Sequence, residues 1–210
     1  MTRFLLVAVL GALAALSSPT AAGPGKFNKV IAPGDAAPAW ENLEGTDGKK
    51  HSLADLKDKD VVVVVFTCNS CACAKDYEPR IVEFVEKNAK PDSKVGFVAI
   101  NVNTGKDDAL PAMKARAEKQ KFNFTYLYDP TQEIARKYGA TFTPEFFVLN
   151  KDRKVVYTGA MDDKSPPAEP RLAYLGAAVT FTLAGEKVAI TETSAAAGCR
   201  IKYNPKKDDE

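Results

Sequence analysis

An unbroken apolar run, Val61 to Phe66, leads through Thr67 into Cys68-Asn69-Ser70-Cys71. No other junction constrains the fold as strongly. A short β-branched run closed by turn residues reads as a buried strand. A strand buried on both faces belongs in a sheet covered by helices. The segment after the cysteines, to about Asn88, reads as a helix, because Tyr77, Ile81, Phe84 and Val85 recur at helical spacing. Two thiols two residues apart thus stand where a strand gives way to a helix. A helix start leaves backbone N–H groups unpaired and carries the positive end of the macrodipole, which favours negative charge on the first sulfur. The sulfur anion is the species that attacks disulfides.

The first 22 residues read as an export signal. Arg3 supplies the positive start, Phe4 to Leu16 the apolar stretch, and Ser17 to Ala22 the small-residue cleavage region. The apolar stretch is too short to span a bilayer, and no cysteine near the cut would take a lipid. Cleavage near Ala22 predicts a periplasmic or secreted protein with no stable membrane anchor. The remaining 188 residues (210 less 22) suit one domain with a sizeable core. The 29 Lys and Arg, less Arg3, stand against 27 Asp and Glu and leave +1. That balance carries no nucleic-acid footprint.

All four cysteines, Cys68, Cys71, Cys73 and Cys199, lie in the mature chain. Four are too few for a disulfide-stapled scaffold, and three of them within six residues point to chemistry. Export places them where disulfides are permitted.

Residues 23–37, rich in Gly, Pro and Ala, read as a flexible linker, and 38–185 as the domain. Residues 186–210 read as a C-terminal extension carrying Cys199 and ending in a solvated tail. Gly45-Thr46-Asp47-Gly48 signals an N-terminal β-hairpin. Pro79 inside the first helix predicts a kink. Lys94 to Ile100 reads as a second core strand, 108–120 as a helix and Thr125 to Tyr128 as a strand. Asp129-Pro130-Thr131-Gln132 reads as a capped helix start with Gln132 returning a bond, and Gly139 as the helix end. Glu145 to Leu149 and Lys154 to Thr158 read as paired strands. Leu172, Leu175, Val179 and Leu183 mark a last amphipathic helix. The order predicts an α/β domain with a mixed sheet between helices.

Pro144 stands just before a strand, in Thr-Phe-Thr-Pro-Glu-Phe-Phe (141–147). With Phe66-Thr67-Cys68-Asn69-Ser70-Cys71, Ala99-Ile100-Asn101, Tyr126 to Asp129, Tyr138-Gly139-Ala140 and Gly198-Cys199-Arg200-Ile201-Lys202, it completes a pattern. The chain resembles the thioredoxin-like superfamily, in its exported redoxin branch, which includes peroxiredoxin-like proteins. The resemblance spans about residues 33–202 and implies a thioredoxin-like fold.

The resemblance further implies that Cys68 attacks, Cys71 resolves, and Pro144 is cis and faces the thiols. It assigns Thr143 to pairing with an extended substrate chain. Two of the superfamily's usual groups are missing. The buried acid six residues before the first thiol is replaced by Val62, leaving Glu145, Lys75 or water to move protons. A peroxiredoxin centre built on Cys71 would need Thr at Cys68 and Pro at Val64, which argues against fast peroxidase chemistry. Cys199 is the candidate for an additional disulfide with Cys73 as its favoured partner, and the plain alternative makes Cys73 a small core residue.

The function expected is exported thiol–disulfide exchange with no cofactor and no metal. Its partners would be a protein or small-molecule disulfide and a thiol reductant. The alternatives are a slow peroxiredoxin-like thiol peroxidase, a cysteine-based metal-binding module, or an adaptor with its cysteines locked. His51, in Gly48-Lys49-Lys50-His51, reads as a solvated hairpin residue.

Overall fold

The computed structural model describes residues 24–205. The segment read as an export signal and the last charged residues lie outside them. Among the described residues, no helix is long and apolar enough to cross a membrane.

The valine run becomes β3 (Val61–Thr67), an interior strand of a seven-stranded mixed sheet. It pairs in parallel with β4 (Val95–Asn101), and β4 pairs in parallel with β5 (Thr125–Tyr128). On its other side β3 pairs antiparallel with β7 (Glu145–Leu149), which turns back into β8 (Val155–Gly159). Beyond β5 lie β1 (Leu43–Gly45) and β2 (Lys50–His51), antiparallel neighbours joined by Thr46 to Lys49. A separate two-stranded ribbon pairs β6 (Phe142–Thr143) with β9 (Cys199–Arg200).

Alternation along β3 divides the core. Val61, Val63 and Val65 pack under α1 (Ala72–Asn88), α2 (Leu110–Gln120) and α4 (Tyr174–Leu183), meeting Tyr77, Ile81, Phe84, Val85, Met113, Leu175 and Val179. Val62, Val64 and Phe66 point to the opposite face, against Trp40, Ile31, Phe147, Leu149 and the residues Ile134, Ala135 and Tyr138 of α3 (Glu133–Tyr138). Each fully buried valine stabilises the fold by roughly 1.5–3 kcal/mol relative to an exposed one. This double burial is why the run is continuous rather than alternating. Helix α1 buries the expected face and runs uninterrupted through Pro79.

Three expectations need correction. The segment read as a flexible linker is bound to the domain. Asn28 is buried and donates from Nδ2 to the Tyr138 carbonyl at 2.7 Å, and Gly34 and Ala37 donate to Val155 and Arg153. Ile31 and Ala32 enter the core, so apolar side chains and β-type bonds overrode a loop-like composition. Gln132 does not close a capping box. Its φ is +62°, its amide donates to the Val102 and Lys202 carbonyls, and its Oε1 accepts from Asn204 N–H. At the start of α3, Asp129 accepts from Ile134 N–H at 2.9 Å and Thr131 Oγ1 from Glu133 N–H at 3.3 Å. In α4 the buried stripe is Leu175, Ala178 and Val179, while Leu172 and Leu183 are exposed. The helix begins only at Tyr174, so Leu172 is not on it.

The C-terminal extension is also docked. Thr158 N–H donates to the Thr191 carbonyl and its own carbonyl accepts from Thr193 N–H, Ile201 is buried, and Tyr203 donates to the Ala140 carbonyl at 2.7 Å with Arg136 over its ring. These contacts carry Cys199 to the carboxyl end of β3.

Candidate functional site

The two thiols of the motif sit beyond the carboxyl end of β3, where open α/β sheets place their crevice. Helix α1 begins directly after the motif, at Ala72. Its N-cap is Cys71, whose Sγ accepts from Ala74 N–H at 3.3 Å. Cys71, not Cys68, therefore occupies the helix start.

The loop between them is tied down by a collar of polar groups. Asp108, 1 % exposed, accepts on Oδ1 from Asn69 N–H at 2.6 Å, Ser70 N–H at 3.2 Å and Asn101 Nδ2 at 3.2 Å. Asn69 donates from Nδ2 to the Asp107 carbonyl and accepts on Oδ1 from Tyr126 hydroxyl at 2.9 Å. Burial keeps Tyr126 protonated, pushing its hydroxyl well above the ordinary 10, and the electrostatic effects of Cys68, Asp108 and Glu78 push the same way. The loop's N–H groups are thus spent on a carboxylate rather than left for a ligand. The sequence reading missed Asp108. It lies 39 residues from Asn69, and nothing local in Lys106-Asp107-Asp108 marks it as more than a solvated turn.

The Thr143–Pro144 peptide is cis. Thr143 is fully buried and touches three cysteines. Its Oγ1 lies 3.3 Å from Cys68 Sγ and its carbonyl oxygen 3.3 Å from Cys71 Sγ. It is also the strand partner of Cys199, whose carbonyl accepts from Thr143 Oγ1 at 3.5 Å.

The disulfide differs from the expected one. Cys71 is bonded to Cys199, with Cα atoms 5.9 Å apart and 128 residues between them. Cys68 and Cys73 are free. The sequence favours Cys73 as the partner because unpaired cysteines are uncommon in exported proteins. The β6–β9 register decides otherwise, since it sets Cys199 opposite Thr143, beside the buried N-cap sulfur. Cys73 is close by nonetheless: the sulfurs of Cys71, Cys73 and Cys199 all lie within 4.8 Å of one another.

The two groups considered for proton transfer have other partners. Glu145 is buried, and its Oε2 accepts from Thr141 and Phe142 N–H at 2.8 and 3.1 Å, bracing the turn into Pro144. Burial raises its carboxyl above the ordinary value, although those bonds lower it. Lys75 is half-buried and acts electrostatically on Glu78. Burial also raises the Glu78 carboxyl, while Arg116 opposes that shift through a bidentate pair at 2.5 and 2.7 Å. His51 pairs with Asp47 on the hairpin, at 3.0 Å.

Known proteins share this arrangement of chain. The thiol-disulfide oxidoreductase ResA of Bacillus subtilis (strain 168) is 30% identical over 135 residues, 63% of this chain and 71% of that protein. A hypothetical protein of Sinorhizobium meliloti 1021 superposes with a TM-score of 0.75 at 29% identity, covering 85% of this chain and 98% of its own. An uncharacterized conserved protein of Geobacillus kaustophilus gives a TM-score of 0.73 at 34% identity, over 83% and 93%. The Redoxin family profile matches residues 32–175, a span that holds the mixed sheet, Cys68, Cys71 and the cis-proline, and the chain belongs to that thioredoxin-like family.

Proposed function

We propose that this thiol–disulfide oxidoreductase works through Cys68 as attacking sulfur and Cys71 as the sulfur that changes partner. One observation carries the reading: Cys68 is a free thiol beside Thr143 and Pro144 while its neighbour Cys71 is already oxidised, onto Cys199. The first step is attack of the Cys68 thiolate on a substrate disulfide. The substrate S–S bond breaks, one substrate sulfur leaves as thiolate, and the other stays bonded to Cys68. Cys71 thiolate then attacks the Cys68 sulfur and expels the second substrate thiolate. Cys199 thiolate attacks Cys71 in turn and returns Cys68 as a thiolate. Each step consumes one thiolate and one disulfide and yields one of each. Two electrons reach the substrate, and a dithiol reductant restores them at Cys71–Cys199.

Thr143 couples the chemistry to binding. The backbone edge that the family resemblance gives to an extended substrate already carries β9. The disulfide holds β9 there, so a peptide docks at Thr143 only after reduction frees Cys199. A protein or peptide disulfide fits this edge. The leader-like segment 1–22 supports a periplasmic or secreted setting.

A trap tests the proposal. In Cys71→Ser combined with Cys199→Ser, neither resolving sulfur remains, and a mixed disulfide should accumulate on Cys68, located by peptide mapping under non-reducing conditions. If no partner is captured on Cys68, and the wild type with a dithiol reductant fails to reduce a disulfide-linked peptide, the reading is wrong.

A further inference from the structure

Cys73 has no part in the exchange just described. It is half-buried and free, yet its sulfur shares a sphere of 4.8 Å with those of Cys71 and Cys199. Three elements converge to place them: the N-cap of α1, its first turn, and β9. We propose that the reduced protein binds one Cu(I) ion through the thiolates of Cys71, Cys73 and Cys199.

The donor set selects the ion. Three sulfurs with no carboxylate or imidazole among them, within the described residues, make a soft site. Soft thiolates favour Cu(I), which accepts three-coordinate geometry, whereas zinc's structural sites call for a fourth ligand. The only histidine, His51, is committed to Asp47. Cys68 packs in the same cluster with its sulfur on Thr143 Oγ1, and is not one of the three. The Ala74 N–H aimed at Cys71 Sγ stabilises a charged sulfur there. Cys73 and Cys199 are the more accessible members, so the ion enters from their side.

Redox state gates the site. A dithiol reductant gives two electrons and two protons to the Cys71–Cys199 disulfide and leaves as its own disulfide. Cu(I) then displaces three protons from three thiols. In the oxidised protein only Cys73 of the three retains a thiol, and no site exists. The inference rests on reversible reduction of that disulfide but not on Cys68 chemistry.

The test is anaerobic titration of the reduced full-length mature protein with Cu(I) against a chromophoric chelator, with X-ray absorption of the product. One Cu(I) per chain in a sulfur-only, three-coordinate environment is expected. The same protein with its Cys71–Cys199 disulfide intact should bind none. Losing a direct ligand should weaken binding by at least the roughly 10–100-fold that an outer partner costs a metal site. Cys73→Ser and Cys199→Ser should each show that loss, and Cys68→Ser should not. Near-ultraviolet circular dichroism checks that each variant is folded. Retention of copper by Cys73→Ser with loss in Cys68→Ser would place the ion on the Cys68–Cys71 pair and overturn the proposal. So would failure to compete with the chelator, or tighter retention of Zn(II). Disulfide reduction by Cys73→Ser should match the wild type, which separates failure of the copper site from failure of the exchange mechanism.

Discussion

Thr143 and Cys199 face each other as antiparallel partners, and this pairing puts the Cys199 sulfur on Cys71. A single buried residue thereby touches the free thiol and both halves of the disulfide. The last strand of the chain occupies the edge at which an extended substrate would add.

Gly198 makes that approach possible. A Cβ built there would stand 2.4 Å from the Thr143 carbonyl oxygen, a contact no side chain tolerates. Gly198→Ala should separate β9 from β6 and leave Cys199 unpaired with Cys71. Thiol counting on the air-oxidised protein, with mapping of linked peptides, checks this. Finding the Cys71–Cys199 peptide pair undiminished in the variant would contradict it.

The disulfide closes a span of 128 residues. Chain-entropy arguments put its stabilisation at up to about 5 kcal/mol, with about 2–4 kcal/mol usual. Oxidised wild type should therefore unfold at higher denaturant than Cys199→Ser. With Cys199 gone, Cys71 should pair with Cys68 instead. Equal midpoints for the two proteins would show that the disulfide does not act on the unfolded chain as argued.

Asp108 holds the loop between the thiols. Asp108→Ala leaves the N–H groups of Asn69 and Ser70 without their acceptor, at a cost of about 1–3 kcal/mol for a buried unsatisfied group. Reduction of a disulfide peptide should slow, because Cys68 is no longer held against Thr143. Asp108→Asn keeps an acceptor oxygen and should recover much of both losses. Thermal melts and initial rates report the two effects separately.

Glu145 predicts a pH dependence. Burial raises its folded carboxyl above the ordinary 4.5, so the folded protein binds that proton more tightly than the unfolded chain. Its contribution to stability is full below about pH 4.5 and declines as pH rises through the raised folded value. Gln at this position still accepts from Thr141 and Phe142 but cannot titrate. The stability of wild type minus that of Glu145→Gln should therefore fall as pH rises above about 4.5. A pH-independent difference in denaturation experiments would rule the mechanism out.

Arg116 of α2 balances Glu78 of α1. Arg116→Ala strands a largely buried carboxylate, and about 2 kcal/mol of stability should be lost, judged from the worth of a hydrogen bond to a charged group. The loss should grow above about pH 4.5, where Glu78 would otherwise ionise. Chemical denaturation at two pH values measures it. Arg116→Lys, with one charged group in place of a fork, should restore part.

Local chemistry was enough for much of this protein. Val61 to Phe66 could only be an interior strand, and Tyr77, Ile81, Phe84 and Val85 could only be the inner face of a helix. Two thiols at their junction pointed to exchange chemistry, and Thr143-Pro144 was readable as their companion through the family pattern. These signals lie within a few residues of one another, where side-chain period and turn chemistry operate. The partner of Cys199, the grip of Asp108 on Asn69, the docking of residues 24–37 and the diversion of Gln132 to the C-terminal segment did not follow from such signals. Each depends on residues 30 to 128 positions apart meeting in the fold. Cys71 had three possible sulfur partners by composition. The choice fell to Cys199 because strand register, set by backbone bonds between β6 and β9, left it opposite Thr143.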